Sequence, residues 1–177
     1  LPDVIRVSDE TETAASMGLA GVSGARRRAL EGYLRLRRRS GGCIVITGWE
    51  GTAESVGRRH AVSARILRRG GAVSLGRGPG ESWLRGRFEG PYLREALLDR
   101  GYLVETLETS HTWSQLGSHY EAVGGAIDRA LRGGGGGCVV MCHLSHAYRD
   151  GASLYFTFIA PRRSGSELEQ WREVKTA

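Results

Sequence analysis

The most regular alternation of apolar and polar positions lies near the end of the chain, between residues 138 and 160. Two runs of β-branched and aromatic residues flank Arg-Asp-Gly at 149–151, and this pattern predicts a β-hairpin because Asp-Gly favours a tight turn. Side chains alternate between the two faces of a strand. Phe156 and Phe158 are therefore predicted on a core face and Tyr155 on the opposite face.

Apolar periodicity predicts further strands and helices along the rest of the chain. Strands are expected at 4–8, 41–51, 72–76 and 102–109, and helices from 9 onward, over 26–39, 52–69, 91–100 and 113–131, and from 166 to the end. The near-continuous apolar run at 41–51 predicts a buried, central strand. Together with the helix at 52–69 and the strand at 72–76, it predicts one strand–helix–strand unit.

This order of elements predicts an α+β fold in which an antiparallel sheet is flanked by helices. Two similar halves would make a ferredoxin-like duplicated domain, although no internal sequence repeat is visible. A length of 177 residues fits a single domain over 1–177. The chain begins with Leu1-Pro2 and ends without a helix-ending signal, so we expect that it is truncated at both ends.

The composition is that of a soluble globular protein, with 40% hydrophobic and 25% charged residues. No apolar run approaches the roughly 20 residues of a membrane span, and no signal-peptide pattern is visible. The net charge of +6 comes from arginines interleaved with acidic residues, so we expect no nucleic-acid surface. The three cysteines lack the spacing of a disulfide framework and favour a reducing, cytoplasmic location.

The predicted hairpin carries Cys138, Cys142, His143 and His146, which are residue types that bind zinc. A zinc site needs ligands that converge from a turn or a helix end, whereas these residues lie along one extended strand. Neighbouring residues of a strand point to opposite faces, so Cys142 and His143 diverge. We therefore expect no metal site.

Tyr155 and Arg94 are the other candidates for chemistry. A tyrosine on a strand most often packs with its hydroxyl at the rim of the core. An arginine in the first turns of a helix is usually solvated. If the two face a cavity, however, the phenol can transfer a proton and the guanidinium can bind an anion through two parallel hydrogen bonds. The residue pattern alone leaves both interpretations open.

Several sequence blocks, taken in order, resemble one known family. They are GWEG at 48–51, GGAVSLGRGPGESW at 70–83, RFEGPYLREALLDRG at 87–101, ETLETSHTW at 105–113 and MCHLSHAYRDGASLYFTF at 141–158. They resemble the C-terminal (cap) domain of the FAD-linked oxidase family, and within it the alkylglycerone-phosphate synthase (alkyl-dihydroxyacetonephosphate synthase)-like flavoproteins. The resemblance implies a cap over an FAD that is bound mainly by an N-terminal domain, which this chain lacks.

The resemblance also implies a reaction, the exchange of an acyl for an alkyl group on dihydroxyacetone phosphate through a flavin adduct. The tyrosine of the GASLYF motif, implicated in proton transfer, matches Tyr155, and the arginine of the PYLR motif, implicated in substrate binding, matches Arg94. His143 and His146 lie on the preceding strand and are expected to line the same cavity as substrate-binding residues. We expect Tyr155 and Arg94 to project toward one concave face and the isolated chain to be inactive; its FAD-binding residues are unknown.

Two other functions remain open. Within the same superfamily, the chain could be the cap domain of an FAD-dependent 2-hydroxy-acid oxidoreductase of the D-lactate or glycolate type. From a different class, it could be a non-catalytic α+β binding or assembly module. The expected partners are a small phosphorylated or carboxylate-bearing substrate and the flavin domain of the same polypeptide, and homo-oligomerisation is left open.

Overall fold

The computed structural model of the protein describes residues 2–19, 24–38, 41–133 and 136–177, without the side chains at 26–27 and 90–91. In this described part the fold is α+β, with seven helices and five strands, and each strand pairs antiparallel with a neighbour. The predicted fold class is confirmed. Contacts divide the chain into two compact units, one that runs up to Arg85 and one from Gly86 to Ala177.

The first unit contains two short strands and four helices. Strand β1 (Val4–Ser8) pairs antiparallel with β2 (Ile44–Gly48), and the helices are α1 (Glu10–Leu19), α2 (Gly24–Leu36), α3 (Ala53–Arg69) and α4 (Gly78–Gly86). Side-chain caps start two of these helices. The Asp9 carboxylate accepts a hydrogen bond from the Glu12 backbone N–H at 2.7 Å. Thr52 Oγ1 accepts one from the Ser55 N–H at 3.3 Å.

Two strand predictions in this unit are wrong. Strand β2 has five residues, all half-buried, instead of a fully buried run over 41–51. A run of β-branched residues indicates that a segment suits a β-sheet, but it does not show how deeply the strand is buried. Residues 72–76 form no strand, because glycines border the segment on both sides and Gly76 adopts a φ of 75°. The predicted strand–helix–strand unit is therefore absent from residues 41–76, and α4 begins at Gly78.

The second unit is built on three long strands with β5 in the middle. Strands β3 (Tyr102–Thr112) and β4 (Val139–Ala147) each pair antiparallel with β5 (Gly151–Pro161), and the helices are α5 (Gly90–Leu98), α6 (Leu116–Arg132) and α7 (Glu167–Thr176). The hairpin predicted between 138 and 160 is confirmed as β4 and β5.

One face of this sheet, which we call the core face, packs against α6 and α7. Phe156 and Phe158 are 0% and 1% exposed on this face, where they cluster with Ile127 of α6 and Val174 of α7. Burying side chains of this size contributes about 2–3 kcal/mol each relative to exposure. Buried and half-buried residues alternate without interruption from Ala152 to Ala160 along β5, as the sequence pattern predicted.

The hairpin turn is held by Trp113, the residue directly after β3. Its indole N–H is shared by the carbonyl oxygens of Tyr148 and Arg149, at 3.1 and 3.2 Å. Gly151, the first residue of β5, approaches β3 so closely that a Cβ there would lie 2.1 Å from the carbonyl oxygen of His111. The two backbones therefore leave no room for a side chain at this position.

The two units differ in element order, β-α-α-β-α-α in the first and α-β-α-β-β-α in the second. The ferredoxin-like duplication and the single domain over 1–177 therefore stay predictions. Among the helices that the structure describes, none combines the length and the apolar character needed to cross a membrane.

Candidate functional site

The sheet face opposite the core face carries Tyr155, and we call it the tyrosine face. Its members on β5 are all half-buried: Ser153, Tyr155, Thr157 and Ile159. The strand register places Tyr155 directly opposite His143 on β4 and Glu108 on β3. Residues directly opposite each other share a face and have Cβ atoms about 5 Å apart. His143, Tyr155 and Glu108 therefore form one row across the three strands.

His143 lies against the ring of Tyr155. The ring centroids are 5.0 Å apart and the ring planes differ by 26°, which is a stacked arrangement. His143 is 7% exposed, so its imidazole forms a nearly buried wall beside the phenol. The structure thus brings together two of the residues that the sequence predicted for the site.

A β-bulge in β4 brings His146 to the same face. In a regular strand, residues three positions apart point to opposite faces, so His143 and His146 would diverge. The register shifts at Ser145, which is the extra residue, and His146 then lies opposite Ser153. Because Ser153 shares a face with Tyr155, the bulge places both histidines on the tyrosine face. His146 is exposed there.

Two polar residues of the tyrosine face were not predicted from the sequence. Ser145 Oγ donates a hydrogen bond to Glu108 Oε1 at 3.0 Å. Alternation along β3 can assign Glu108 to a face, but it cannot show that Tyr155 lies opposite, because the pairing register of distant strands is set by the whole sheet. Nothing in the local sequence signals the bulge at Ser145.

Arg94 is an exposed residue of α5, and this helix packs against β3. Its charge acts on Glu105, which lies opposite Phe158 and therefore on the core face. Among the described contacts, none joins Arg94 to Tyr155. The expectation that the two side chains project toward one face therefore has no support from the geometry, and the role of Arg94 stays a prediction.

Glu105 is held as a carboxylate by several donors. Burial raises its pKa, but hydrogen bonds from the Thr106 backbone N–H and the Trp171 indole act in the opposite direction, as do the charges of Lys175 and Arg94. The net effect is a pKa below the ordinary value of 4.5. This cluster ties α7 and α5 to β3 on the core face.

The hairpin cysteines do not join the histidines. Cys142 belongs to the core cluster opposite Phe156, and Cys138 Sγ donates to Asp128 Oδ1 at 3.2 Å. Burial raises the pKa of the Cys138 thiol, and the hydrogen bond to Asp128 adds to the effect, so the thiol form is favoured. Within the described residues, no three His, Cys, Asp or Glu side chains are grouped as metal ligands.

A cavity of about 190 Å³ lies at the far end of β5, with Ala160, Arg163 and Gln170 in its lining. The side-chain amide of Gln170 donates a hydrogen bond to the Pro161 carbonyl oxygen at 3.0 Å and accepts one from the Arg163 backbone N–H at 3.0 Å. Both ends of this amide are therefore hydrogen-bonded within the protein. Ala160 is buried on the core face, so this cavity is separate from the row that contains Tyr155.

Comparison with known proteins identifies the family. The family described as "FAD linked oxidases, C-terminal domain" matches residues 1–177. The chain belongs to this family. The resemblance inferred from the ordered sequence blocks is confirmed.

Two curated relatives and one solved structure with the same name are similar to this chain. The chain is 28% identical over 182 residues to an alkyldihydroxyacetonephosphate synthase of Dictyostelium discoideum, which covers 99% of this chain and 30% of that protein. It is also 29% identical over 132 residues to the alkyldihydroxyacetonephosphate synthase of Trypanosoma brucei brucei, and this match covers 75% of this chain and 22% of that protein. A solved structure of alkyldihydroxyacetonephosphate synthase matches with a TM-score of 0.83 at 27% identity, over 99% of this chain and 33% of that one. The chain thus spans between 22% and 33% of these relatives' lengths.

The family description implies FAD, and the tyrosine face carries hydroxyl groups of a kind that can hydrogen-bond its ring system. Ser153, Tyr155 and Thr157 present hydroxyl groups at alternate positions of β5, about 7 Å apart along the strand. Such donors suit the nitrogen and oxygen atoms at the edge of an isoalloxazine. Their half-buried state leaves them accessible to a ligand, whereas Met141 in the next row is buried and supports them from the side.

Proposed function

We propose that this chain is the substrate-binding cap domain of an FAD-dependent enzyme that exchanges the acyl group of an acyl-dihydroxyacetone phosphate for the alkyl group of a fatty alcohol. The observation that carries the proposal is the stacked pair of Tyr155 and His143 on a half-buried sheet face in a member of the FAD-linked oxidase family. The name shared by the relatives supports the substrate class.

Tyr155 is the group that moves a proton in this proposal. FAD, when bound, supplies the electron-rich centre of the exchange. Tyr155 acts as general base and then general acid: its phenolate oxygen takes a proton from the substrate carbon, and the resulting phenol returns that proton after the alkyl group has entered. The stacked His143 limits the directions in which the phenol can point, and half-burial reduces the access of water to it.

Arg94 binds the phosphate in this proposal. A guanidinium offers two parallel N–H donors that match a phosphate, and an exposed side chain on α5 is accessible to one. In the proposal the reacting carbon lies over Tyr155 on β5, and His146, exposed on the β4 side of the same face, lines the site.

The test is an exchange assay on the full-length polypeptide that carries this domain. It is incubated with an acyl-dihydroxyacetone phosphate and a radiolabelled fatty alcohol, and we expect label in the ether product and release of the fatty acid. The same assay on residues 1–177 alone is expected to give no product, because the FAD-binding part is missing. Exchange by the isolated chain would contradict that part of the proposal.

The oxidoreductase alternative is tested in the same preparation. D-lactate and glycolate are added anaerobically, and the absorbance of oxidised flavin is followed. Bleaching by a 2-hydroxy acid together with the absence of ether product would replace the synthase proposal with the oxidoreductase function. Absence of both activities, with FAD bound, would favour a non-catalytic module.

A further inference from the structure

The hydrogen bond between Glu108 and Ser145 spans the central strand of the sheet. Glu108 lies on β3 and Ser145 on β4, and β5 runs between them. Two strand spacings amount to about 10 Å, which a glutamate side chain, a serine side chain and one hydrogen bond together can cover. The 3.0 Å contact therefore bridges over the backbone of β5 on the tyrosine face.

The bridge passes beside Tyr155. Glu108 is the direct partner of Tyr155, and Ser145 is the extra residue of the bulge, between the row of His143 and the row of Ser153. The bridge therefore crosses β5 on the side of Tyr155 that faces Ser153. His143 stacks on the same phenol from β4. Tyr155 is thus confined from two sides, by an imidazole and by the carboxylate–hydroxyl bridge.

We propose that Glu108 and Ser145 are positioning residues that hold Tyr155 in the orientation required for proton transfer. The inference rests on the proposed function only for the role of Tyr155 in proton transfer. Misplacement of a reacting group by about 1 Å can lower a rate by about 100-fold, so a bridge that removes one direction of side-chain motion has a measurable effect on kcat.

The bridge does little for the stability of the fold. Glu108 is exposed and Ser145 is half-buried, and a solvent-accessible hydrogen bond of this kind adds little to the free energy of unfolding because water competes for both groups. Removing either partner should therefore leave the thermal midpoint nearly unchanged. An effect on turnover without an effect on stability separates a positioning role from a structural one.

The kinetic experiment uses variants of the full-length protein. Glu108→Ala and Ser145→Ala both break the bridge, and we expect each to lower kcat about tenfold or more with KM within about twofold. Glu108→Gln keeps an oxygen that accepts from Ser145 and should retain most of the activity. Ser110→Ala, which removes a hydroxyl two residues along β3 on the same face, is the matched control and should behave as wild type.

A double-mutant cycle separates this inference from the proposed function. If Glu108 acts through Tyr155, Glu108→Ala should cause no further loss in a Tyr155→Phe background. Full activity of Glu108→Ala and Ser145→Ala beside an inactive Tyr155→Phe would overturn the positioning role and leave the function intact. Additive losses would also overturn it. Full activity of Tyr155→Phe would instead overturn the proton-transfer role.

A spectroscopic measurement tests the positioning without any substrate. The protein is labelled with 3-fluorotyrosine, and the ¹⁹F resonance of Tyr155 is assigned by its loss in Tyr155→Phe. We expect this resonance to shift and broaden in Glu108→Ala and in Ser145→Ala, and to stay in place in Ser110→Ala. An unchanged resonance in both bridge variants would show that the bridge does not restrain Tyr155 and would overturn the inference.

Discussion

His143 and Tyr155 face each other across β4 and β5, with ring centroids 5.0 Å apart and ring planes at 26°. Stacked aromatic pairs contribute about 1 kcal/mol beyond the area that they bury. We expect His143→Ala to lower both the unfolding free energy, by about 1–3 kcal/mol, and kcat. His143→Phe keeps a flat ring against the phenol and should recover most of the stability. Chemical denaturation of both variants checks this, and equal losses would contradict a stacking role.

Tyr155→Phe removes only the hydroxyl, so the core and the stack with His143 remain. We expect kcat of the full-length enzyme to fall by about 10²–10⁴, the range typical of a lost general acid–base group, with the thermal midpoint unchanged. Exchange assays and thermal unfolding are measured together. Tyr33→Phe, a hydroxyl loss on α2, is the control and should keep full activity. An equal fall of kcat in Tyr155→Phe and Tyr33→Phe would contradict a specific role of the Tyr155 hydroxyl.

Arg94→Ala removes the proposed phosphate ligand. Because a charged donor to a phosphate contributes about 1.5–3 kcal/mol, we expect KM for the phosphorylated substrate to rise about 10- to 100-fold with a smaller change in kcat. Arg94→Lys should give an intermediate KM, since a single ammonium cannot make two parallel bonds. Arg100→Ala, an exposed arginine just beyond α5, serves as the control. An unchanged KM in Arg94→Ala would remove this residue from the site.

Gly151→Ala tests the close approach at the hairpin. The added methyl would lie 2.1 Å from the His111 carbonyl oxygen and 3.0 Å from the Cα of Thr112, so backbone atoms must move. We expect a loss of at least about 2 kcal/mol in unfolding free energy, because forcing atoms into a packed backbone costs about 1–3 kcal/mol or more. Gly137→Ala, where nothing lies within 4 Å, should be nearly neutral. Urea titrations measure the unfolding free energy of both variants, and equal losses in the two would contradict the close approach at Gly151.

The pKa of Glu105, lowered from 4.5, links stability to pH. A carboxyl whose pKa is lower in the folded state stabilises the fold fully above its unfolded pKa, and that contribution is lost as pH falls through the folded pKa. We expect Glu105→Gln to lower the thermal midpoint near neutral pH and the difference from wild type to shrink as the pH falls below 4.5. Glu121→Gln, an exposed carboxyl change on α6, is the control. A difference that stays constant with pH would exclude this linkage.

Period-two patterns predicted the second unit well and the first unit poorly. The alternation from Leu154 to Phe158, with Asp-Gly before it, correctly predicted the hairpin and its two faces. The run at 72–76 has a similar local pattern, yet it forms no strand, because a strand also needs a neighbour and an uninterrupted backbone. The local alternation of residues therefore predicts which side chains share a face only where the segment also pairs with another strand of the sheet.

The candidate site shows the same division. Tyr155 was predicted from family resemblance and His143 from its position on the preceding strand, and the strand register places the two residues opposite each other. Glu108 was missed because its position opposite Tyr155 depends on which residues of two distant strands pair. The shared face of His143 and His146 depends on one unpaired residue, Ser145, which follows from the geometry of the whole sheet.

The extra residue in β4 also affects how this chain should be aligned with others. Removing Ser145 would leave a regular strand in which His146 still lies opposite Ser153. A homologue with one residue fewer here can therefore present the same two histidines at a spacing of two instead of three. A gapless alignment would then match the wrong side chains beyond this point, and the gap belongs at Ser145.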